Sequence, residues 1–568
     1  MNCTKFTVQN YYLLTIFCFI MSHNAMAQSF EWVVAMGSNR MDMGNDIAVD
    51  AIGNVYATGY FHETIDADPT SGTTNLTANG GSDIFIQKLD ATGNLLWAKN
   101  VGGSGWDIGE AIAVDQQGAV YITGTFRDTV DFDPSANTFP LISKGAVDIF
   151  VLKLDAAGNF IWAKSMGGSS YDNGRSIVVD HSNNIYIAGN FKGTTDFDPD
   201  AGVFNLSSPS YSAFVLKLNP NGHLIWVKNM EGTNDSDAND IDVDAGGNIY
   251  TSGYFIGTID LDPNSGVNNV NTVGGYDGFV QKLDTAGNLV WGNSIGGIDD
   301  DRANGIIVDG ANNIYTTGYF AGTVDFDPGA GVTNLSTVSS GSGIFIQKLN
   351  PNGNLIWAKN MGGYGSSWGS DFAIDASDNL YLTGAFSSTV DFDPNGGTTN
   401  LTATYFDVFT QKLDSMGNLV WVKGIGGNNY DTGKGIAVDG NGGVYTIGGF
   451  KYTVDFDPGV GVVNRTAVDN FDIFIQKLNT STNLNNQKIP LSTTRVYPNP
   501  SKEWVTIKSN DLIGASLRVL NLSGQTIFTQ KHLTTNQYQL ELKEGAGVYI
   551  VEVIYENRIE RIKLVKKE

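Results

Sequence analysis

The chain has 568 residues and a formal net charge of −25, with 59 Asp+Glu against 34 Lys+Arg. So acidic a surface repels nucleic acid and anionic membranes and attracts cations, which argues against a nucleic-acid partner. Charged residues make up only 16% of the chain, glycines number 69 and cysteines two, which excludes a disordered acidic tail and a disulfide scaffold.

The first 27 residues read as a secretory signal. Lys5 supplies the positive start, residues 11–21 the apolar run, and Ala25-Met26-Ala27 the small-residue cleavage site. The run is too short to span a bilayer and no later apolar run compensates, so no transmembrane span is expected in the mature chain. Cys3 and Cys18 both fall inside the signal, leaving a mature chain held by packing alone. The negative charge lies in residues 28–489, because residues 490–568 hold 11 Lys+Arg against 8 Asp+Glu.

A unit of about 65 residues then repeats seven times, marked by Trp32, Trp97, Trp162, Trp226, Trp291, Trp357 and Trp421. The second unit shows the plan. Ala111-Ile-Ala-Val-Asp115 and Ala119-Val-Tyr-Ile-Thr-Gly-Thr-Phe126 are β runs. An insert with Asp131-Phe132-Asp133-Pro134 follows, then Asp148-Ile-Phe-Val-Leu-Lys-Leu-Asp155 and Phe160-Ile-Trp-Ala-Lys-Ser165. Runs rich in β-branched and aromatic residues, broken by Gly, Asn and Asp, predict a four-stranded meander. Breaks of the form Asp-x-x-Gly, as at Asp90 to Gly93, suit type I turns.

Four strands per unit, without strong polar alternation, predict sheets covered on both faces, hence an all-β, seven-bladed β-propeller over residues 28–480. The Trp series and Phe85, Phe150, Phe214, Phe279, Phe345, Phe409 and Phe474 are expected between blades. Residues 30–35 have the form of a fourth strand, while the repeats end on a third strand, 472–478, with no Trp strand after it. The N-terminal strand is therefore expected to complete the seventh blade and close the ring. The units resemble SBBP-type β-propeller repeats of secreted bacterial proteins and, more loosely, NHL repeats. The resemblance rests on Gly435-Ile-Ala-Val-Asp439, Val444-Tyr445 and Phe474-Ile-Gln-Lys-Leu478, and it implies a fold and little else.

A polar linker, 481–494, leads into residues 495–568, where alternating strands predict a small Ig-like β-sandwich. Val496-Tyr-Pro498-Asn499-Pro500, Asn521-Leu-Ser-Gly524, Gly547-Val-Tyr549 and the basic end 563–567 resemble the C-terminal sorting domain of the type IX secretion system of Bacteroidetes. The resemblance implies that Pro498, Asn499, Pro500, Gly524, Gly547 and Tyr549 serve a domain that engages the outer-membrane secretion machinery and delivers the propeller to the outer cell surface or the medium.

Turns alternate between the two ends of an antiparallel meander. The Asp-x-x-Gly turns therefore share one face. The Asp-Pro inserts and the loops after each Trp strand share the other, longer-looped face, where binding is expected. Two carboxylates per Asp-x-Asp-Pro motif make Asp131/Asp133, Asp196/Asp198, Asp325/Asp327, Asp391/Asp393 and Asp455/Asp457 candidate Ca²⁺ ligands, since Ca²⁺ takes oxygen ligands. The same motif, with Gly three residues after the Pro in six of its seven copies, also suits a compact turn. No other cofactor is indicated. Trp106, Asp107, Tyr171, Asp172, Tyr364, Trp368, Tyr430 and Asp431 are the candidate ligand-binding residues, because rings beside carboxylates can stack on and hydrogen-bond sugars. Scattered histidines and the lack of any nucleotide fingerprint name no catalytic residue. The preferred reading is a secreted or surface-held module that binds glycan or protein. A polysaccharide-acting enzyme with paired carboxylates and a structural surface component are the alternatives.

Overall fold

The computed structural model describes residues 29–68, 72–338, 341–479, 494–509, 512–521, 525–555 and 559–567. The signal, most of the linker and Gly524 lie outside the described residues. Two compact units emerge, one up to Ser481 and one from Thr482. Both are all-β and antiparallel, with no helix among the described residues.

The first unit repeats one meander. In the first repeat Met43–Val49, Val55–Asp66, Asn75–Leu89 and Leu95–Gly103 pair in sequence order; in the second, Ile108–Val114, Val120–Phe126, Asp148–Leu154 and Phe160–Gly168 do the same. The third and fourth strands join through the Asp-x-x-Gly turns: Gly93 sits at φ +85° and its N–H bonds Asp90 O at 3.0 Å. A second reason for glycine comes from the neighbour, because a Cβ on Gly93 or Gly158 would fall 2.8 or 2.9 Å from the rings of Trp32 or Trp97. Six of the tryptophans, expected between repeats, thus lie half-buried on the outer strand, as Trp32 and Trp97 do over the next repeat's turn, and Trp421 is buried. The phenylalanines of the third strand are fully packed; Phe85, Phe150 and Phe474 are at most 1% exposed.

Successive first strands touch one another: Met43–Val49, Ile108–Val114, Asp172–Val179, Ser236–Val243, Arg302–Val308, Ser367–Ile374 and Thr432–Val438, the last touching the first. Each carries a bulge at its middle, as between Gly44 and Asp46. At the chain's start, Ser29–Met36 pairs with Asp472–Asn479, which in turn pairs with Gly443–Phe450. This seam has the bonds found elsewhere between repeats. Lys477 Nζ and Trp32 Nε1 donate to Ala91 O at 3.0 and 3.2 Å, just as Lys88 Nζ and Trp97 Nε1 donate to Ala156 O at 3.2 and 3.3 Å.

The second unit packs the sheet Arg495–Tyr497, Trp504–Lys508 and Gln537–Glu541 against the sheet Thr526–Gln530, Ser516–Asn521, Gly547–Ile554 and Ile559–Lys566. The Pro-Asn-Pro segment has a structural role here. Asn499 Nδ2 donates to Lys563 O at 2.6 Å and Asn499 Oδ1 accepts from Val565 N at 2.9 Å, tying the domain's entry to its last strand. Tyr549 is buried and its hydroxyl donates to Gly545 O at 2.6 Å.

Candidate functional site

The face of short turns is uniform. In every repeat a buried tyrosine of the second strand donates its hydroxyl to the Asp that opens the preceding turn: Tyr56 to Asp50 at 3.1 Å, Tyr250 to Asp244 at 2.9 Å, Tyr445 to Asp439 at 2.8 Å. A lysine of the third strand lies over that ring, 4.7 Å from its centroid for Lys88 and Tyr56, and reaches the next repeat's turn carbonyl. Burial and the adjacent carboxylate push the tyrosine hydroxyls well up, so they stay donors. This Tyr–Asp–Lys cluster recurs in the sequence, but its members touch across strands and repeats, so spacing alone does not reveal it.

On the opposite face, the Asp-Pro inserts and the post-Trp loops do lie together: Gly102 and Gly103 pair with Asp131 and Val130, and Gly362 and Gly363 with Asp391 and Val390. The first Asp of each Asp-x-Asp-Pro motif folds the insert. One oxygen of Asp131, Asp196, Asp325, Asp391 or Asp455 accepts the N–H groups two and eight residues on, at 2.7–3.2 Å. The second Asp also folds it: Asp133, Asp198, Asp327, Asp393 and Asp457 each accept the N–H two residues on. In four of these the carboxylate crowds the glycine, where a Cβ at Gly202, Gly331, Gly397 or Gly461 would fall 2.0–2.1 Å from an oxygen. Among the described residues no three His, Cys, Asp or Glu side chains stand close enough to hold a metal ion.

The structure separates the ring–carboxylate pairs. Trp106, Tyr171, Tyr364 and Tyr430 are exposed and Trp368 is half-buried, whereas Asp107, Asp172 and Asp431 are at most 1% exposed. These carboxylates hold the backbone: Asp107 accepts from Gly103 N at 2.7 Å and Arg127 N at 2.9 Å, and Asp431 from Gly427 N and Lys451 N at 3.0 and 2.9 Å. Each faces a second buried Asp on the preceding repeat's third strand. Burial, together with the second charge, pushes Asp148 and Asp407 up to about 7, opposite Asp172 and Asp431. Asp42 and Asp472 form the same pair across the two chain ends.

The pattern breaks at two junctions: Gly343 and Ser367 replace the two aspartates between the fifth and sixth repeats, and Ser212 and Ser236 replace them between the third and fourth, where Ser236 Oγ accepts from Ala213 N at 2.9 Å. At this third–fourth junction the loop face opens into a cleft of about 390 Å³ lined by Tyr171, Tyr211, Tyr254 and Tyr276, with Asn173, Asn190, Asp235, Ser236, Arg175 and Asp237 as its polar groups. Arg175 is the bulged residue of its strand, in the register held elsewhere by Asn45, Glu110, Asn239, Asn304, Ser370 and Lys434. Its guanidinium spans Glu110 and Asp237, 3.3 Å from each, and the Asp237 carboxylate raises its already high pKa. Asn173 Nδ2 donates to Asn190 Oδ1 at 2.7 Å. Arg302 stacks on Tyr254 and Tyr276, 4.1 and 4.8 Å from the ring centroids. Of the sequence-picked residues, Tyr171 alone lines this cleft. Arg175, Tyr211, Asp237, Tyr254 and Tyr276 were missed. The signal that could have found them is the loss of the repeat at Ser212 and Ser236.

The first strands line a second space of about 150 Å³, which shares Arg175 with the cleft and holds Asp46, Glu110, Asp240, Asp371 and Lys434. Asp46 bridges repeats, accepting from Ile112 N at 2.8 Å, as Asp240 does from Ile306 N at 2.8 Å and Asp371 from Ile436 N at 2.9 Å. Loss of solvation raises all three, Asp46 to about 7.

Comparison with known proteins accords with this geometry. Residues 495–567 match the secretion system C-terminal sorting domain, and residues 161–196 match the β-propeller repeat SBBP. The chain thus carries an SBBP repeat and a sorting domain that puts it on the type IX export route, to be attached at or released from the cell surface. Through that domain it meets the secretion machinery. No described helix is long and apolar enough to cross a membrane. An uncharacterized WD repeat-containing protein of Acanthamoeba polyphaga mimivirus is 27% identical over 74% of this chain and 36% of its own length. Regulatory protein FlaEY of Caulobacter vibrioides is 24% identical over 45% of this chain and 26% of its own. The chain therefore spans about a third or less of these relatives. A solved protein of unknown function from Bacteroides caccae covers 60% of this chain and 89% of its own at 10% identity, with a TM-score of 0.30, too loose a superposition to bear on function.

Proposed function

We propose that residues 29–479 form a closed seven-bladed β-propeller that serves, outside the cell, as a binding or adhesion module for glycan or protein, with its ligand on the loop face. The contact of Thr432–Val438 with Met43–Val49 and the shared bonding of Lys477 and Trp32 to Ala91 support closure. One observation carries the binding reading: on the face of long loops, the junction of the third and fourth repeats combines the loss of the aspartate pair with a tyrosine-lined cleft that holds Arg175 and Asp237. Repeated residues build the scaffold, and tyrosines, an arginine and an aspartate gathered in one cleft outside the repeat pattern have a role the scaffold does not need.

The test uses the labelled full-length chain on an array of extracellular proteins and polysaccharides. The double variant Tyr171→Ala/Tyr211→Ala is expected to lose whatever the native chain binds, and Ile52→Ala/Gln117→Ala, on the turn face, to keep it. The reverse pattern would overturn the reading.

A further inference from the structure

The cleft between the third and fourth repeats has a chemistry more specific than its face. We infer that it binds an uncharged saccharide, with a sugar ring on the tyrosine faces and hydroxyls at Asp237 and Arg175; the inference rests on the binding-module reading above.

Asp237 is 3% exposed, and its Oδ1 has no hydrogen-bond partner; neither has the buried Nε of Arg175, although the same two side chains are paired through Asp237 Oδ2. An acceptor and a donor are thus both unsatisfied at one cleft wall. Oδ1 of Asp148, Asp277, Asp407 and Asp472 is unpartnered at other junctions too, so what marks this wall is that an acceptor and a donor stand together beside a cleft. A hydroxyl both donates and accepts, whereas an ammonium only donates and a carboxylate only accepts. Neighbouring hydroxyls on a sugar match the pair.

The competing ligands fit less well. A basic side chain or quaternary ammonium would meet like charge, because Arg302 lies against Tyr254 and Tyr276 and Lys192 Nζ is 5.1 Å from the Tyr211 centroid; an uncharged ring approaching the same tyrosines is not repelled. An anionic ligand would meet Asp235 and Asp237 in the cleft and Glu110 beside Arg175, on a chain of net charge −25. An uncharged ligand suffers neither conflict. Asn173 and Asn190 add amide groups, and about 390 Å³ lies within the range of small-ligand sites, roughly 300–1,000 Å³.

The experiment is calorimetric titration of the full-length chain with cellohexaose, xylohexaose and mannohexaose, and with oligogalacturonate and dextran sulfate as charged controls. At least one neutral oligosaccharide is expected to bind, and the charged ones not. Tyr276→Ala is expected to weaken binding about tenfold, the scale of one lost aromatic contact, and Tyr276→Phe to preserve it. Asp237→Asn, which disturbs the pair while keeping its shape, is expected to weaken binding without lowering the melting temperature enough to unfold the chain at 25 °C. Equal binding of the charged polymers would overturn the inference, as would no binding of any saccharide. A neutral saccharide whose affinity ignores Tyr276→Ala and Asp237→Asn would overturn this site while leaving the module reading intact. If no saccharide binds but a protein does, and Tyr171→Ala/Tyr211→Ala abolishes that capture, the saccharide class falls and the loop face stands.

Discussion

The two faces of the repeat unit use the same residue types to opposite ends. On the turn face, Tyr, Asp and Lys form one cluster that recurs at every junction, so each hydrogen bond serves stability and none distinguishes one repeat from the next. On the loop face, buried aspartates hold the loops in most repeats; Gly343 and Ser367 replace them at one junction, and at another serines replace them and tyrosines, Arg175 and Asp237 fill the space. The difference teaches that in a repeat protein, abundance of a residue type says little. Departure from the repeat carries the functional information.

The comparison can be broken first at the seam. Deleting residues 29–36 removes the Trp32 cap over Gly93 and the strand that covers Asp472–Asn479. It also strips out buried Val33, Val34 and Met36, each contributing roughly 1.5–3 kcal/mol. Calorimetry should show loss of the single cooperative transition or a drop in Tm of roughly 10 °C or more. An unchanged Tm would mean that the seam does not act like the other junctions.

A second, smaller effect separates the faces by pH. On the loop face Asp148, Asp277, Asp407 and Asp472 are raised to about 7, chiefly by burial, so they favour the folded state while protonated. Their contribution is complete below the ordinary value of 3.8 and is lost as pH rises through about 7. On the turn face burial raises Asp90 too, but hydrogen bonds from Thr92 and Asn94 outweigh it and hold Asp90 at about 2. Its contribution is present above 3.8 and is lost as pH falls through about 2. Tm should therefore peak in mildly acid buffer and decline toward pH 8, and Asp407→Asn should flatten the decline. A Tm that rises from pH 5 to 8 would contradict the assignment.

The smallest effect concerns the inserts. Asp325 accepts two backbone N–H groups and Asp327 a third, so both are occupied as turn formers. Asp325→Asn keeps an acceptor oxygen and should change stability by no more than about 0.5 kcal/mol in denaturant titration. Ca²⁺ added in about 0.15 M salt should give no saturable rise in Tm. A saturable rise, lost in Asp325→Asn, would make the pair a cation site.

The strands were legible because each is a β-branched or aromatic run between turn residues. The expected strand at 148–155 is Asp148–Leu154, and that at 160–165 is Phe160–Gly168. What the sequence hid was tertiary. Thr129–Asp131 and Pro140–Ile142 are too short to show a pattern, and Thr129–Asp131 forms against Gly102 and Gly103 of the preceding repeat. Asp107, Asp172 and Asp431 stand beside exposed rings in the chain, yet backbone N–H groups from two segments draw them inward. Tyr171 was recognisable as an aromatic in a loop, but the side chains facing it come from positions up to about a hundred residues further on, and only folding brings Arg175, Asp237 and Tyr276 to it.

The most direct measurement is a crystal structure of the full-length chain soaked with a neutral oligosaccharide that binds it in solution. The account predicts the sugar in the cleft of the third and fourth repeats, stacked on Tyr211, Tyr254 or Tyr276, with hydroxyls within hydrogen-bond distance of Asp237 and Arg175. A sugar held on the turn face, or at any other junction, would contradict it.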